Sequence, residues 1–500
     1  MKKKYSHLAL VFVIVMSFFY AVISIPLIRQ QFVSFLCRNS TRLLLESIIG
    51  RTLNPLTLES NWDKFITKII WDGTFLLILS AALYIELCVI NFKRSRSKTA
   101  VVCITVLLYF SSMGMNTVGG DLHFHLDRIE ELACAIRSGD IPTHFDYSVA
   151  SKAGSGKSID YPELFLYIPA LLRVFGVPIS ITYILFYILI NAATILIAYY
   201  SMNRITRSRC IALIFCALYS LCLYRLIDMN LRAAVGESLG MIFVPLTIAG
   251  IYGIFYEKDE NGKRKWLTLA IAMSCILQSH VITFLLTSVF IAFFLIVNVR
   301  RINKQIIAAI SKAAVVCILL NLWFIIPFIS YYKYIRHTMP FDLYLTAVFP
   351  RQIFAPFVTD NSRQDLYTRD TTAGEMPLSL GITTLLGIIA FITVWKSPLF
   401  QRKVRFNGIK QFGTQALYYG LFALFMASTL FPWVSPPERS EWIPFNFFNH
   451  IQFAWRFFII AAPLLCMTGS IGFYFFYNCK NGGGGAKTSY FSLYRNMRGR

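Results

Sequence analysis

Long apolar runs separated by short polar stretches make up most of the sequence. Several runs have about 17–25 residues, the length that an α-helix needs to cross a bilayer, whereas a transmembrane barrel would show short alternating segments. The pattern predicts an all-α polytopic membrane protein with both termini on the same side. The predicted spans cover about residues 7–27, 71–92, 100–116, 178–200, 210–227, 235–256, 266–280, 281–299, 313–330, 379–396, 413–431 and 451–478.

The segment YPELFLYIPALLRVFGV, residues 161–177, decides the topology. It is apolar, but it carries Glu163 and Arg173 and is interrupted by two prolines. Because a charge at mid-bilayer costs about 2.5–3.5 kcal/mol, we expect this segment to lie in the outer membrane interface without spanning. All short basic segments then share one side, where 28 Lys and Arg residues accompany three acidic residues. The positive-inside rule makes this side cytoplasmic.

The composition agrees with a membrane protein, since 56% of the residues are hydrophobic and only 15% are charged. A formal net charge of +23 would suit nucleic acid. The basic residues, however, occur in short bursts between apolar runs, as a membrane topology requires, so we expect no nucleic-acid partner. The eleven cysteines show neither metal-ligand spacing nor a disulfide framework.

Uncommon polar residues gather on the predicted extracytoplasmic side. Ionisable residues at membrane depth are costly and are candidates for function, although charges at helix ends can also simply extend to the headgroups. We favour a functional site because four separate segments contribute polar residues at one level. These residues are Asp121, His123, His125, Asp127 and Arg128, then Asp228, Arg232 and Glu237, then Ser279 and His280, and finally Glu438, Arg439, Glu441, Gln452 and Arg456.

The densest of these segments is GGDLHFHLDR, residues 119–128. If it is helical, Asp121, His125 and Arg128 lie on one face and His123 faces elsewhere. A carboxylate, an imidazole and a guanidinium on one face suit general-base catalysis beside an anionic leaving group. A zinc site at the His-x-His pair would need an extended segment, and a divalent cation at Asp121 stays an alternative.

Two further arginines need partners. Arg225 and Asp228 are three residues apart, and they are expected either to pair within a helix or to serve the site. Arg456 lies about one turn into a long apolar span. Its partner is expected to be a protein carboxylate or a lipid phosphate, and a phosphate suits the planar guanidinium well.

Five motifs occur in a fixed order: GGDLHFHLDRIEELACAIRSGDIP, DYPELFLYIPALLRVFG, LRAAVGESLG, LQSH and IQFAWRFF. Together they resemble bacterial polytopic proteins of the GT-C glycosyltransferase superfamily, near the YfhO-like membrane proteins and those labelled pyruvoyl-tetrahydropterin-synthase related. The resemblance implies a GT-C-like bundle of about 12 transmembrane helices. Its large first extracytoplasmic loop would carry an acidic residue, here Asp121, and membrane-lying helices at about 122–137 and 161–176. The loop begins with one Asp and not a pair of acids, and no residue supports the pterin label.

The likeness covers roughly residues 100–478 and divides the chain into three parts. Residues 1–99 are expected to be an N-terminal two-span addition that begins with an uncleaved anchor. Residues 100–478 are expected to form the GT-C-like transmembrane core, with residues 117–177 as its main extracytoplasmic loop. Residues 479–500 are expected to be a basic cytoplasmic tail that meets membrane lipids.

The resemblance implies a glycosyltransferase in the bacterial plasma membrane that moves a sugar from a polyprenyl-phosphate donor to an envelope polymer or lipid acceptor outside. No cofactor is implied with certainty, and a divalent cation, Mg²⁺ or Mn²⁺, stays an alternative. The implied roles are catalysis for Asp121, His125 and Arg128, donor-phosphate binding for Arg232 and Arg456, and support or cation binding for Glu237, His280 and Gln452.

Two other classes of protein stay open. One is a transporter or flippase for a lipid-linked or polymeric envelope precursor, although such proteins commonly show inverted repeats and the sequence shows none. The other is a non-catalytic envelope assembly protein on a GT-C scaffold.

Overall fold

The computed structural model describes residues 120–144, 156–257, 262–332, 343, 346–350, 352–354, 378–396, 404–433 and 451–481. The predicted N-terminal unit 1–99, the span 100–116 and most of the tail 479–500 lie outside these described residues. So do Glu438, Arg439 and Glu441.

The described part of the chain is all helical, apart from one isolated bridge between Val348 and Ser428. A 3₁₀ turn, Leu164–Leu166, precedes the third helix, a π turn, Asp228–Arg232, continues the sixth, and a 3₁₀ turn, Ala454–Phe457, precedes the last. The α-helices are α1 (Leu122–Ser138), α2 (Lys157–Asp160), α3 (Tyr167–Val174), α4 (Ile179–Thr206), α5 (Arg209–Ser220), α6 (Leu223–Ile227), α7 (Val235–Tyr256), α8 (Leu267–Leu277), α9 (Val281–Val297), α10 (Lys304–Leu320), α11 (Leu322–Tyr332), α12 (Ile382–Val394), α13 (Val404–Ala427) and α14 (Phe458–Asn481).

Three stretches of helix are long and apolar enough to cross a membrane: Ile179–Thr206, Val235–Tyr256 and Ala454–Tyr477. The number rises to five if each of two bent helix pairs is one span. In the first pair, α5 meets α6 and the π turn at 44°, and in the second, α10 meets α11 at 76°. The described residues therefore form a multi-pass helical membrane protein by length and composition.

Three predicted spans contain shorter helices than predicted. Helices α8, α9 and α12 have 11, 17 and 13 residues. At 1.5 Å per residue, α8 is about 16 Å long, roughly half the thickness of the hydrocarbon core. Helix α8 is short because two polar residues, Gln278 and His280, interrupt the apolar run, which the apolar pattern did not reveal. Gln278 is held by Asn321 at 2.7 Å, and His280 caps α9.

Small residues let two of the buried helices approach closely. A Cβ placed on Gly387 in α12 would lie 2.7 Å from the Cα of Gly469 in α14. Contacts of this kind are common between helices in membranes, where packing replaces the hydrophobic effect as the attraction between helices. Helix α14 consequently lies deep in the bundle, packed against α12, α13 and α5.

The polar candidates and the basic segments lie at opposite ends of the bundle. Helix α7 has 22 residues and is about 33 Å long. Just after it, Glu257 accepts a hydrogen bond from Arg204 Nη2 at 2.8 Å, and Arg301 Nη1 donates to the Tyr256 hydroxyl at 3.1 Å. The first turn of α7 carries Glu237. We name these the basic end and the site end, and α3 packs against α1 at the site end.

Candidate functional site

Four buried charged side chains meet at the site end, and we name them the ion cluster: Asp228, Arg232, Glu237 and Arg456. Arg232 Nη1 lies 2.6 Å from Asp228 Oδ1 and 3.2 Å from Glu237 Oε2. Arg456 Nε lies 3.3 Å from the same Glu237 oxygen. All four residues are at most 8% exposed. Two acids and two bases thus neutralise one another, which makes it possible to bury them.

The π turn Asp228–Arg232 brings the first members of the ion cluster together. It ends at Ala233, where φ is 54°, and the chain then enters α7 with Glu237 in its first turn. The partial positive charge at a helix N-terminus stabilises a carboxylate at that position. The reversal at Ala233 explains why Arg232 can reach both Asp228 and Glu237, and π turns are frequent at functional sites.

Hydrogen bonds from neutral side chains complete the ion cluster. Ser238 Oγ donates to Asp228 Oδ2 at 2.8 Å, and the Tyr224 hydroxyl donates to Glu237 Oε1. Gln452, one of the predicted site residues, accepts from Arg456 Nη1 at 2.6 Å and has φ of 68°. A non-glycine residue in this conformation costs on the order of 1–3 kcal/mol, so the bond to Arg456 helps to hold it.

Both arginines of the ion cluster keep unused donor atoms. Arg232 makes its ion pairs through Nη1, and Arg456 bonds through Nε and Nη1. Within the described residues, Arg232 Nε and Nη2 and Arg456 Nη2 donate no hydrogen bond, and none of them is a fully buried atom. An anion could accept from these atoms without breaking the ion pairs, as guanidinium groups do with phosphate.

Asp121 lies next to the ion cluster, at the N-cap of α1. Its backbone N–H donates to Arg232 O at 2.8 Å, which ties the start of α1 to the end of the π turn. The Asp121 side chain is exposed and does not cap α1, and it makes no hydrogen bond or ion pair with another described residue. Asp228 and Glu237 are engaged by arginines, whereas the Asp121 carboxylate is engaged by no arginine among the described residues.

The prediction for α1 is confirmed in part: His125 and Arg128 are buried and His123 is exposed, but Asp121 is the exposed N-cap and does not share the buried face. Arg128, however, is directed away from Asp121. Its Nη2 donates to two backbone carbonyl oxygens, Tyr161 O at 3.2 Å and Pro162 O at 3.0 Å. Arg128 therefore fixes the turn that precedes α3, a structural task that helical spacing alone did not predict.

An ion pair also supports this turn. Arg128 Nη2 lies 3.7 Å from Glu163 Oε1, and Ser158 Oγ donates to the same carboxylate oxygen at 2.9 Å. Burial raises the pKa of Glu163, while the positive charge of Arg128 opposes that rise. Glu163 was expected to keep the segment 161–177 out of the membrane, and here it has a buried partner on α1.

Tyr161 lies at the centre of the site, although the sequence analysis did not name it as a site residue. Its ring centroid is 5.9 Å from that of His125 and 5.8 Å from that of His280, and the Arg128 guanidinium carbon lies 4.2 Å from it. Its hydroxyl is against Gly236, where any Cβ would overlap it. Tyr161 thus connects α1 to the starts of α7 and α9.

Burial also sets the protonation of the groups around Tyr161. Loss of water raises the pKa of Tyr161 to about 12, even though Arg128 and Arg456 lower it. Burial, with the nearby Arg128 and His280, lowers the pKa of His125 well below its ordinary value. His125 is therefore a neutral imidazole at pH 7, and its Nδ1 is buried without a hydrogen-bond partner.

His280 serves the site from the junction between α8 and α9. Its Nδ1 accepts from the Thr283 N–H at 3.3 Å and lies 2.8 Å from Thr283 Oγ1. An acceptor role for Nδ1 leaves Nε2 to carry the proton. The structure therefore gives His280 a fixed tautomer and a structural role as the cap of α9.

The donor set does not fit a resident metal ion. The described residues contain no group of three or more His, Cys, Asp or Glu side chains placed to bind one. Asp121 would need further oxygen ligands, and the nearest acids of the ion cluster are held by Arg232 and Arg456.

Arg225 does not pair with Asp228, so that expected pair is wrong. Arg225 is fully buried, and its Nη2 donates to Asn191 Oδ1 at 2.8 Å and to Thr194 Oγ1 at 2.9 Å. The physical reason is the π turn that starts at Asp228, which directs this carboxylate to Arg232. Arg225 instead ties α6 to α4.

Comparison with protein-family models, curated proteins and solved structures finds no match for this chain. The function must therefore be argued from the chemistry of the site itself.

Proposed function

We propose that the protein is a GT-C-type membrane glycosyltransferase that moves a sugar from a polyprenyl-phosphate donor to a cell-envelope acceptor. One observation carries the proposal: a free carboxylate, Asp121, is tied by its backbone to Arg232, whose guanidinium keeps unused donors at the same end of the bundle. The proposal includes about twelve spans, two cytoplasmic termini and a bacterial plasma membrane location.

In the proposed reaction, an acceptor hydroxyl oxygen attacks the anomeric carbon of the donor sugar. The bond from that carbon to the phosphate oxygen breaks, polyprenyl phosphate leaves with the electron pair, and Asp121 takes the hydroxyl proton. The free donors of Arg232 and Arg456 stabilise the charge that grows on the phosphate. Glu237 holds both guanidinium groups in position.

The other predicted residues have supporting roles in this proposal. His125 and Arg128 position Tyr161, which borders the site through Gly236. His280 also packs against Tyr161, with the ring centroids 5.8 Å apart. Gln452 holds Arg456 through its side-chain oxygen.

An apolar crevice supports a lipid-borne donor. It lies between α7, α9, α13 and α14, and its lining includes Thr287, Phe290, Ile460 and Leu464. Ile460 and Leu464 follow Arg456 by one and two helical turns. A lipid with its phosphate at Arg456 could therefore place its hydrocarbon chain along this crevice, away from water.

The test is sugar transfer in membranes from a panel of radiolabelled polyprenyl-phosphate hexoses and pentoses. We expect Asp121→Asn, which keeps the shape but removes the base, to lower the rate on the order of 10²–10⁴-fold at equal protein level. The matched control is His123→Gln, an exposed residue on the other side of α1, which should transfer normally. A fully active Asp121→Asn protein would show that Asp121 is not the base.

A transporter or flippase is the second candidate, favoured by a specific observation. The pair α5 and α6 is bent and runs into a π turn, and α10 meets α11 at 76°. Interrupted helices with polar groups are typical of transporters. Reconstituted protein that moves a labelled lipid-linked precursor across vesicles without changing it would favour this candidate. A non-catalytic assembly role would instead leave Asp121→Asn with full biological activity in cells.

A further inference from the structure

A second cavity lies at the basic end, far from the ion cluster. It has a volume of about 570 Å³ and lies where α4 ends, α7 ends and α8 begins. Its charged lining consists of Arg204, Glu257, Arg264 and Lys265. None of these residues belongs to the candidate site, so the cavity needs its own explanation.

Within the described residues, two of the cations in this cavity have no full counter-charge. Glu257 is engaged by Arg204, which donates to its Oε2 from Nε at 3.1 Å and from Nη2 at 2.8 Å. Arg264 donates from Nη1 to Phe255 O at 2.9 Å, and its Nε is buried without a partner. Lys265 Nζ is 3.8 Å from Glu257, and its side chain is 48% exposed. The described lining therefore carries an excess of positive charge.

Apolar side chains lead from the cavity toward the middle of the bundle. Tyr200 and Leu267 line the cavity and are largely exposed. One helical turn further from the basic end, Leu196 on α4 and Ile271 on α8 are exposed as well. In a bilayer, such side chains face hydrocarbon, and Trp266 at the cavity is a residue type enriched at the membrane interface.

We propose that this cavity binds the phosphate of an anionic phospholipid, with the acyl chain along Leu196 and Ile271. The phosphate oxygens accept from Arg264 and Lys265, and the guanidinium of Arg264 gives the planar donor geometry that phosphate oxygens suit. Arg204 and Glu257 hold the wall of the cavity. Basic pockets between transmembrane helices on the cytoplasmic side recognise lipid headgroups in this way.

The experiment measures lipid binding by the full-length protein in detergent, by native mass spectrometry with added dioleoyl-phosphatidylglycerol or dioleoyl-phosphatidylcholine. We expect preferential retention of phosphatidylglycerol, and Arg264→Gln/Lys265→Gln should weaken that retention about ten-fold or more. The matched control is Arg209→Gln/Lys304→Gln, which removes the same charge from exposed positions elsewhere on the basic side. This control variant should retain phosphatidylglycerol to within about two-fold of the wild-type level.

Four results would overturn the proposal. Equal retention of the two lipids would show that the cavity does not select for lipid charge. Equal weakening of phosphatidylglycerol binding by the two double variants would show that only general surface charge matters. Displacement of phosphatidylglycerol by an excess of inorganic phosphate would assign the cavity to a soluble anion instead of a lipid. Thermal unfolding of each variant is measured alongside, and a folded Arg264→Gln/Lys265→Gln protein with unchanged selectivity counts against the proposal.

Discussion

Arg456 Nε lies 3.3 Å from Glu237 Oε2, although 219 residues separate the two in the sequence. The contact joins the start of the last described helix to the first turn of α7. Arg456 also donates to Ile451 O at 2.8 Å, so it fixes the chain that enters its own helix. The Arg456 side chain thus links the first turn of α7 to the segment that precedes α14.

We expect Arg456→Met to destabilise the protein by about 3–5 kcal/mol, because it leaves Glu237 short of a buried partner. Arg456→Lys keeps the charge but loses the planar fork, and we expect a smaller loss of about 1–3 kcal/mol from the unsatisfied acceptors. Thermal unfolding in detergent measures both. Arg301→Met at the exposed basic end is the control, expected to change stability by no more than about 0.5 kcal/mol.

The double variant Arg456→Met/Glu237→Gln separates the ion pair from general packing. If the ion pair stabilises the folded protein, the double variant should lose less stability than the sum of the two single changes. Strict additivity would mean that Arg456 and Glu237 are neighbours without a significant interaction.

Gly236 should tolerate no side chain. A Cβ at Gly236 would overlap the Tyr161 hydroxyl and lie 2.7 Å from the ring carbon that bears it. We expect Gly236→Ala to destabilise the protein by about 1–3 kcal/mol through overpacking. The double variant Gly236→Ala/Tyr161→Ala should lose less stability than the sum of the two single changes. Gly408 offers the control, because nothing lies within 4 Å of its Cβ position. Gly408→Ala in α13 should be neutral or stabilising by up to about 1 kcal/mol.

The sequence pattern predicted the helices well where an apolar run was uninterrupted, as in α4 and α7. It overestimated α8, because one polar residue such as Gln278 changes mean hydropathy little yet ends a helix when Asn321 binds it. The charged candidates Arg232, Glu237 and Arg456 were predicted from their cost in a membrane, and the structure brings them into contact.

What the pattern could not predict was which side chains point at one another. Arg128 was predicted as a site residue from its spacing, and its partner is the Tyr161 carbonyl. Arg225 was expected either to pair with Asp228 or to serve the site, and its partner is Asn191. Tyr161 itself carries no charge, and although it lies in the DYPELFLYIPALLRVFG motif, nothing in that motif marked it as a site residue. Its importance depends on the absence of a side chain at Gly236, a relationship that exists only in the folded chain.

His125 should make stability depend on pH. Its pKa is well below the ordinary value of about 6.5 in the folded protein, because of burial and of the nearby positive charge of Arg128. Below pH 6.5 or so the unfolded chain takes up a proton at this residue and the folded chain does not, so the stability falls as the pH falls. The limiting slope is about 1.4 kcal/mol per pH unit.

We therefore expect unfolding curves measured between neutral pH and mildly acidic pH to show a smaller pH dependence in His125→Leu than in the wild-type protein. His123→Leu, on the exposed face of the same helix, is the control and should keep the wild-type dependence. An unchanged slope in His125→Leu would show that the imidazole titrates normally and is not buried.

The last prediction concerns the side of the membrane on which the site lies. The described basic residues Arg204, Lys265 and Arg301 lie together at one end, and the positive-inside rule predicts that this end is cytoplasmic. Single cysteines at Ser138, exposed at the end of α1, and at Lys304, exposed at the start of α10, report the two ends. In a background without the native cysteines, an impermeant maleimide should label Ser138→Cys in intact cells and Lys304→Cys only after permeabilisation. The reverse result would place Asp121 and the ion cluster inside the cell, where the proposed extracytoplasmic sugar transfer could not occur.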